Sequence, residues 1–441
     1  GLPANLFYGT GIPACVLVMR KGKGQRSGKP PERQGKVLFI NADREYFEGR
    51  AQNHLLPEHI EKVVNTFETF AEVPGFSALV SNATLRENDY NLNIRRYADN
   101  APPPEPHDVR AHLLGGVPKA EVQAKAALFA AQGLDPQAIF VERDAAYFDF
   151  LPELATRQAL KPAVEANPGL VAKEQAVRDA FEAWWQAHSP RIAALAGAPS
   201  LVGLRNELLH SFSETLEPVG LLGRFQVRGI VAGFWADAKY EFLTLMARGA
   251  QGVVDAWRTS ILTAMDDEQS KNKPLDHKLV KFLMADFVQT MAELNARKAE
   301  LDSQIKAATP DKTDGDEGDA ADAGEGEDAP VVNEAQLKEW KQQLAALKKQ
   351  IKAEEKGFAQ RLNEAVDALD ESGAAELLLT IMRNDMQTIL DRYVVAQRQQ
   401  TVTAVEGWWD KYQINLAQIE NTRSTAAESM RHFLKALGYA Q

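Results

Sequence analysis

Seven basic side chains are concentrated in one short stretch near the start of the sequence, with Glu32 as the single acidic residue among them. Lysine and arginine at this density can bind the phosphate groups of DNA, which gives affinity without sequence preference. A solvated loop that binds nothing has the same composition, so both interpretations stay open. The candidate phosphate contacts are Arg20, Lys21, Lys23, Arg26, Lys29, Arg33 and Lys36.

The glycines of this region do not follow a nucleotide-binding pattern. Residues 22–29 are rich in glycine and basic residues, but they lack the P-loop spacing, and Pro30 stands where that motif needs Ser or Thr. Gly9-Thr10-Gly11 lacks the third glycine and the preceding strand of a dinucleotide-binding loop, so it predicts a turn. Neither segment predicts a nucleotide site by itself.

Nucleophiles and metal ligands are sparse. Cys15 is the single cysteine, which excludes an internal disulfide, and its apolar neighbours predict a core position. His54 and His59 are five residues apart without a third ligand nearby, which favours packing or surface roles over metal binding. No Ser/His/Asp or Cys/His arrangement stands out. We therefore predict no metal site and no hydrolase-type site.

The length and composition are those of a globular protein of two or three domains. The chain has 441 residues, of which 45% are hydrophobic and 25% charged. No apolar run reaches the roughly 20 residues that span a bilayer. The lack of a signal peptide and of disulfide-forming cysteines predicts a cytoplasmic protein.

Net charge is a poor guide to partners here because the charge is unevenly distributed. The total is −11, but residues 311–328 contain nine acidic residues and one lysine, so the rest of the chain carries −3. The first 50 residues contain nine Lys and Arg against four Asp and Glu. The acidic total therefore does not exclude contact with DNA through the N-terminal part.

Residues 1–100 predict a mixed α/β segment. Two short apolar runs, 14–19 and 37–40, predict buried strands, which the exposed basic loop would join as an antiparallel pair. Residues 58–70 predict a helix. Its apolar positions, which fall on one face, are Ile60, Val63, Val64 and Phe67.

Helical spacing dominates the chain after the proline-rich segment at 101–106, which predicts a linker. Residues 140–152 do not fit the helical pattern. The predicted organisation has four parts: a catalytic-domain part at 1–100, a helical domain at 101–286, a helical hairpin at 287–360, and C-terminal helices at 361–441.

The hairpin prediction depends on two segments with heptad spacing, 287–305 and 337–358. Between them, residues 306–334 form an acidic stretch that is too polar to bury a core. We predict an antiparallel, coiled-coil-like hairpin whose disordered tip is this stretch. Two ordinary amphipathic helices in a bundle are the alternative.

Several blocks of the sequence resemble the modification subunit of Type I restriction–modification systems, an adenine-N6 DNA methyltransferase. The first hundred residues carry the most specific blocks, and weaker ones follow in the same order. They are GLPANLFYGTGIPACVLVMRK at 1–21, VLFINA at 37–42, FEGRAQN at 47–53, NDYNLNIRRY at 88–97, PVGLL at 218–222, VVDAW at 253–257 and WWDKY at 408–412.

This resemblance implies the last strands of a Rossmann-like methyltransferase sheet, followed by a large helical domain. It also implies S-adenosylmethionine as cofactor and an Asn/Asp-Pro-Pro-Tyr/Phe catalytic tetrapeptide. Pro-Pro occurs here only at 30–31 and 102–104, without the flanking residues of that motif. Residue 1 is Gly and an apolar run follows at once. We therefore expect a chain that starts inside the catalytic domain and is inactive alone.

Two further expectations come from the resemblance. In such enzymes an aromatic residue before a late strand packs on the flipped adenine. Phe7 matches that position, and its neighbour Tyr8 could take the role instead. A core role for Phe7 is the alternative.

The implied partners are DNA, a specificity subunit and a restriction subunit. Helices at 287–305, 337–358 and 376–436 are candidates for the subunit contact. A non-catalytic helical scaffold is the rival interpretation of the whole chain.

Overall fold

A computed structural model describes residues 1–19, 33–101, 105–197, 200–266, 273–308 and 334–439. These residues are mainly helical, with two small antiparallel sheets. The chain divides into two compact units. The first unit comprises Gly1–Ile192, Ser200–Lys239 and Asn384–Gln441, and the second comprises Ala193–Pro199 and Tyr240–Arg383.

The N-terminal part of the first unit is built around a two-stranded sheet. Leu38 of one strand faces Leu79 of the other. A small core forms on the sheet, in which the Phe39 ring stacks on Tyr97 with 4.5 Å between ring centroids. The elements are β1 (Lys36–Ile40), α1 (Pro57–Thr69), β2 (Ser77–Ser81), α2 (Asn82–Glu87) and α3 (Ile94–Tyr97).

Two of the three N-terminal predictions are confirmed, and the third is wrong. Residues 37–40 lie in a strand and residues 58–69 in a helix. Residues 14–19 form no strand, however, because β1 takes β2 as its antiparallel partner and no described strand pairs with the apolar run. Its side chains are exposed, Val16 by 70% and Met19 by 82%, and Cys15 is exposed rather than buried in a core.

The unexplained segment at 140–152 contributes two strands of a second sheet. The strand at 147–150 lies in the middle of this sheet and pairs antiparallel with the strands at 117–118 and 140–142. The aromatic side chain of Phe140 packs edge-on against Trp408, at 5.8 Å between ring centroids. The strands are β3 (Val117–Pro118), β4 (Phe140–Glu142) and β5 (Tyr147–Phe150).

Helices complete the first unit around a core that contains Phe129, Trp408 and Tyr412. At its edge the buried Glu121 accepts hydrogen bonds from Trp408 Nε1 at 3.2 Å and from the Tyr412 hydroxyl. The helices are α4 (Val109–Leu114), α5 (Lys119–Ala124), α6 (Ala126–Gln132), α7 (Arg157–Glu165), α8 (Pro168–Ala193), α9 (Leu201–Leu216), α10 (Arg224–Asp237), α15 (Glu371–Tyr412), whose first turns fall in the second unit, and α16 (Leu416–Ala436).

All regular elements described in the second unit are helices. Gly249 interrupts the first of its helices with φ of +70°, a left-handed conformation that other residues rarely adopt. The remaining helices include a long antiparallel pair. The elements are α11 (Lys239–Asp266), α12 (Lys278–Leu283), α13 (Ala285–Ala308) and α14 (Glu334–Asp367).

The antiparallel pair α13–α14 occupies the two predicted heptad segments. Phe287 near the start of α13 stacks on Phe358 in the second half of α14, with 5.5 Å between ring centroids. Met291, Leu301 and Ile351 are buried along the same seam. The packing of the two helices is therefore observed, but coiled-coil geometry is not confirmed, and residues 309–333 of the predicted tip lie outside the described residues.

A Rossmann-like parallel sheet is not confirmed either, because all strand pairs within the described residues are antiparallel. The four-part domain division stays a prediction. Among the helices that the structure describes, none combines the length and apolar character required to cross a membrane.

Candidate nucleic-acid interface

The aromatic pair predicted to meet the target base lies in a tight turn. The Thr10 N–H donates to the Phe7 carbonyl at 3.3 Å, which places Tyr8 and Gly9 at the tip. Gly9 has φ of +76°, and glycine adopts this conformation without steric cost. The Tyr8 side chain is 91% exposed and Phe7 is 53% exposed. The core role considered for Phe7 does not hold in this structure.

Backbone hydrogen bonds fix the base of the loop that carries this turn. The Leu2 N–H donates to the Ala14 carbonyl at 2.8 Å and closes the loop. Asn53 binds the same segment twice, through its backbone N–H to the Asn5 carbonyl at 2.8 Å and through Nδ2 to the Ala4 carbonyl at 2.9 Å. The aromatic turn therefore projects from an anchored loop.

A further exposed aromatic side chain lies in the segment that provides Asn53. Phe47 and His54 exchange two backbone hydrogen bonds of 2.9 Å, and the Phe47 ring is 56% exposed. Arg50 lies exposed between them. This block contributes to the family resemblance, but sequence reasoning predicted no role for its side chains. An exposed aromatic residue three positions from an arginine is the signal that could have identified it.

The structure describes two of the seven basic candidates. The Arg33 guanidinium lies 4.9 Å from the centre of the Phe70 ring and donates to the Glu68 carbonyl at the end of α1, so it stabilises that helix end. Lys36 is exposed at the start of β1. The other five, which lie outside the described residues, are Arg20, Lys21, Lys23, Arg26 and Lys29.

The N-terminal segment carrying these features is similar to known DNA methylases. The N-6 DNA Methylase family model matches residues 1–105. The MjaVIII methylase subunit, a Type I restriction enzyme component of Methanocaldococcus jannaschii, is 41% identical over 99 residues, which cover 22% of this chain and 16% of that protein. The MjaVII methylase subunit of the same organism is 39% identical over 115 residues, 25% of this chain and 19% of that protein.

The match to the N-6 DNA methylase family model covers residues 1–105 of the 441 residues. The similarity extends to bacteria, since the MpnII methylase subunit of Mycoplasma pneumoniae is 31% identical over 109 residues, again 25% of this chain and 19% of the relative. These matches span less than a fifth of each relative's length. No solved structure matches the chain significantly. The resemblance to Type I modification subunits is thus confirmed for the methylase segment, residues 1–105.

The methylase segment packs on the first unit's helices through the polar face of α1. Glu61 is 6% exposed and binds Arg205 of α9 and Arg228 of α10, at 3.0 and 2.7 Å. The opposite, apolar stripe of α1 faces solvent, because Ile60, Val64 and Phe67 are 40 to 49% exposed. Together with residues 16–19, this stripe leaves the methylase segment with uncovered apolar surface.

The described residues do not fit S-adenosylmethionine. A cofactor of this kind binds at the carboxyl ends of parallel strands, next to a glycine-rich strand-to-helix turn. Here β1 and β2 are antiparallel, and Gly9 and Gly11 belong to an exposed loop that neither follows a strand nor precedes a helix. Within the described part of the chain, no group of three His, Cys, Asp or Glu side chains could hold a metal ion.

Proposed function

We propose that this chain is part of the modification subunit of a Type I restriction–modification system. The complete protein would transfer a methyl group from S-adenosylmethionine to adenine N6 in DNA, in the cytoplasm. The observation that carries the proposal is the family match over residues 1–105, together with relatives described as Type I methylase subunits. The chain itself would be inactive, because its described residues do not fit the cofactor.

The exposed turn supports a role in holding the target base. An adenine amino group is inaccessible inside a duplex, so the base must leave the stack before it is methylated. Phe7 and Tyr8 present aromatic surface at the tip of an anchored loop. Stacking on such a face contributes roughly 1–3 kcal/mol per base. We assign target-base stacking to this pair in the complete protein.

The uncovered apolar surface supports the idea that the methylase segment completes a larger sheet. Val16, Leu17, Val18 and Met19 are 63 to 82% exposed, and they form a run with strand-like composition. Exposed apolar patches of this kind mark interaction surfaces. The cofactor-binding part of the methyltransferase domain would pair with this run and supply the catalytic tetrapeptide.

The C-terminal helix supports a contact with the specificity subunit. Seven positions of α16 and its extension follow heptad spacing, and all are exposed. Five of them are large apolar residues, which in water favour burial against a second helix. The seam is Leu416, Ile419, Arg423, Ala426, Met430, Phe433 and Leu437. The restriction subunit would join this assembly for DNA cleavage.

Copurification tests the proposed subunit contact. We expect the double variant Ile419→Asp with Phe433→Asp to abolish copurification of the whole protein with its specificity subunit. The control variant Asn421→Asp with Ser424→Asp introduces the same charge on the opposite face of α16 and should copurify normally. Retention of the specificity subunit by the seam variant would contradict the assignment of this surface.

A cofactor titration tests the claim that this chain is inactive alone. Isothermal titration of residues 1–441 with S-adenosylmethionine should detect no binding tighter than about 1 mM, whereas an intact cofactor site gives far tighter binding. Micromolar affinity would show that the chain contains the cofactor site. It would contradict the proposed division between this chain and the rest of the catalytic domain, and leave the family assignment unaffected.

A further inference from the structure

One face of α14 carries a row of lysines. Its six members fall within about 100° of the helix circumference, given 3.6 residues per turn, and the row is roughly 27 Å long at 1.5 Å per residue. All six are exposed. This lysine face consists of Lys338, Lys341, Lys348, Lys349, Lys352 and Lys356.

Among the residues that the structure describes, little acidic charge lies against the lysine face. Among the described residues, ion pairing of these lysines is limited to Lys348, whose Nζ lies 4.0 Å from Asp302 of the neighbouring helix α13. On α14 itself, Glu355 borders the face, while Glu339 and Glu354 project from other sides of the helix. The face is therefore a concentrated positive patch in a chain whose net charge is −11.

The spacing of the lysines destabilises α14, because it places like charges next to one another on the helix surface. Lys348, Lys352 and Lys356 follow one another at intervals of four residues, so their ammonium groups are neighbours on the helix surface. Like-charge pairs at this spacing destabilise a helix. The apolar seam does not require lysine at these positions, because Leu344, Ile351 and Phe358 supply it from another side. A polyanion that covers the face would remove the repulsion.

We propose that the lysine face of α14 binds the phosphate backbone of double-stranded DNA. The inference rests on the proposed function, in which the protein acts on DNA, and it adds a contact far along the sequence from the methylase segment. The face is straight and about 27 Å long, and successive phosphates of one strand are roughly 3.4 Å apart along the axis. Laid along the duplex, it therefore spans the axial length of about eight base pairs and meets phosphates where the backbones cross it. Such contacts position the protein on the duplex without reading its sequence.

Salt-dependent binding of the full chain to DNA tests the proposal. The probe is a fluorescent 30-base-pair duplex, and the test variant replaces Lys341, Lys349, Lys352 and Lys356 with Gln. Each phosphate that the variant no longer neutralises should reduce the magnitude of the slope of log K against log salt by about 0.9. For four lysines we therefore expect the magnitude of the slope to fall by roughly 3 to 4, and binding at 0.1 M salt to be at least about tenfold weaker.

Two further variants separate a specific surface from net charge and from misfolding. Replacing the same four lysines with Arg should preserve binding, since the positive charge is kept. Replacing four exposed lysines outside this face with Gln, at Lys125, Lys161, Lys281 and Lys435, changes the net charge equally and should leave the slope almost unaltered.

Other outcomes would overturn the proposal. Unchanged DNA binding by the α14 Gln variant would contradict it. Equal weakening of DNA binding by the four control Gln substitutions would also contradict it, because it would indicate an effect of net charge. Equal affinity for poly-glutamate would reassign the face to an acidic protein partner. Failure of the DNA methyltransferase assignment would instead be visible as absence of adenine methylation by the whole protein, which this binding assay does not measure.

Discussion

Arg228 donates two hydrogen bonds to Oε1 of Glu61, from Nε at 3.1 Å and from Nη2 at 2.7 Å. Glu61 lies on α1 of the methylase segment, and Arg228 lies on α10. The other carboxylate oxygen of Glu61 accepts a hydrogen bond from Arg205 of α9 at 3.0 Å. A single buried carboxylate therefore joins the methylase segment to two helices of the first unit.

Removal of this carboxylate should destabilise the first unit. Glu61→Ala leaves the guanidinium groups of Arg228 and Arg205 without their anion. Because Arg228 is largely buried and Arg205 is only about a third exposed, we expect the free energy of unfolding to fall by about 2 to 4 kcal/mol. Urea denaturation measures it. Glu207→Ala, which breaks the more exposed pair with Arg191, should cost less than about 1 kcal/mol. Equal costs for both variants would contradict this account of Glu61.

The orientation of α1 also shows how far the sequence could predict this region. The pattern correctly predicted the helix and placed Ile60, Val64 and Phe67 on one face. That face is exposed, however, and the buried face carries Glu61, Asn65 and Thr66. Arginines more than 140 residues away in the sequence decide this orientation, and local periodicity contains no information about them. The strand predicted at 14–19 failed for the same kind of reason, since strand formation requires a partner strand.

The helices α13 and α14 could be predicted from the sequence because heptad spacing is a local signal, whereas their coiled-coil geometry stays a prediction. The aromatic turn proposed to stack on the target base was located through the family resemblance alone, and its exposure became evident only in the structure. The lysine face was missed because its six members are spread over 19 residues and become contiguous only when they are plotted on a helix.

Two histidines should make the protein less stable in mild acid. Burial lowers the pKa of His59 and of His277, and each Nδ1 accepts a backbone N–H, from Leu56 and Leu279 respectively, both at 3.1 Å. The folded pKa values lie below the usual 6.5, so the unfolded state takes up protons first. Stability is therefore full above about pH 6.5 and falls as the pH decreases toward the folded pKa values.

A substitution that keeps the hydrogen-bond acceptor tests this pH dependence. His59→Gln can still accept the Leu56 N–H but does not titrate, so the loss of stability between pH 7.5 and pH 5.5 should become smaller in urea denaturation. His210→Gln alters a side chain that is 77% exposed and serves as the control. An unchanged pH dependence in His59→Gln would exclude His59 as a contributor.

The contact between Phe287 and Phe358 should hold α13 against α14. Phe358 is 2% exposed, so Phe358→Ala should cost about 3–5 kcal/mol through the cavity that it leaves. Hydrogen exchange should accelerate in both helices. Gln350→Ala, at an exposed position of α14, should change stability by less than about 0.5 kcal/mol. Unaltered exchange in α13 after Phe358→Ala would show that the two helices are stable independently.

The aromatic turn should act on the flipped base in the complete enzyme. Replacing Phe7 and Tyr8 by Ala in the whole protein, bound to its specificity subunit, should weaken extrahelical capture of the target adenine by about 1–3 kcal/mol. Fluorescence of 2-aminopurine at the target position reports the flipped state. Phe47→Ala removes another exposed aromatic ring of the methylase segment and should leave the signal intact. A larger effect from Phe47→Ala would move the stacking role to that residue.

Methylation profiling of host DNA tests the central claim most directly. Single-molecule sequencing should detect N6-methyladenine in both halves of a bipartite sequence when the whole protein is expressed with its specificity subunit. The modification should disappear when the gene that encodes this chain is deleted and return when it is restored. Identical adenine methylation in the presence and absence of that gene would contradict the assignment as a Type I modification subunit and favour a non-catalytic scaffold.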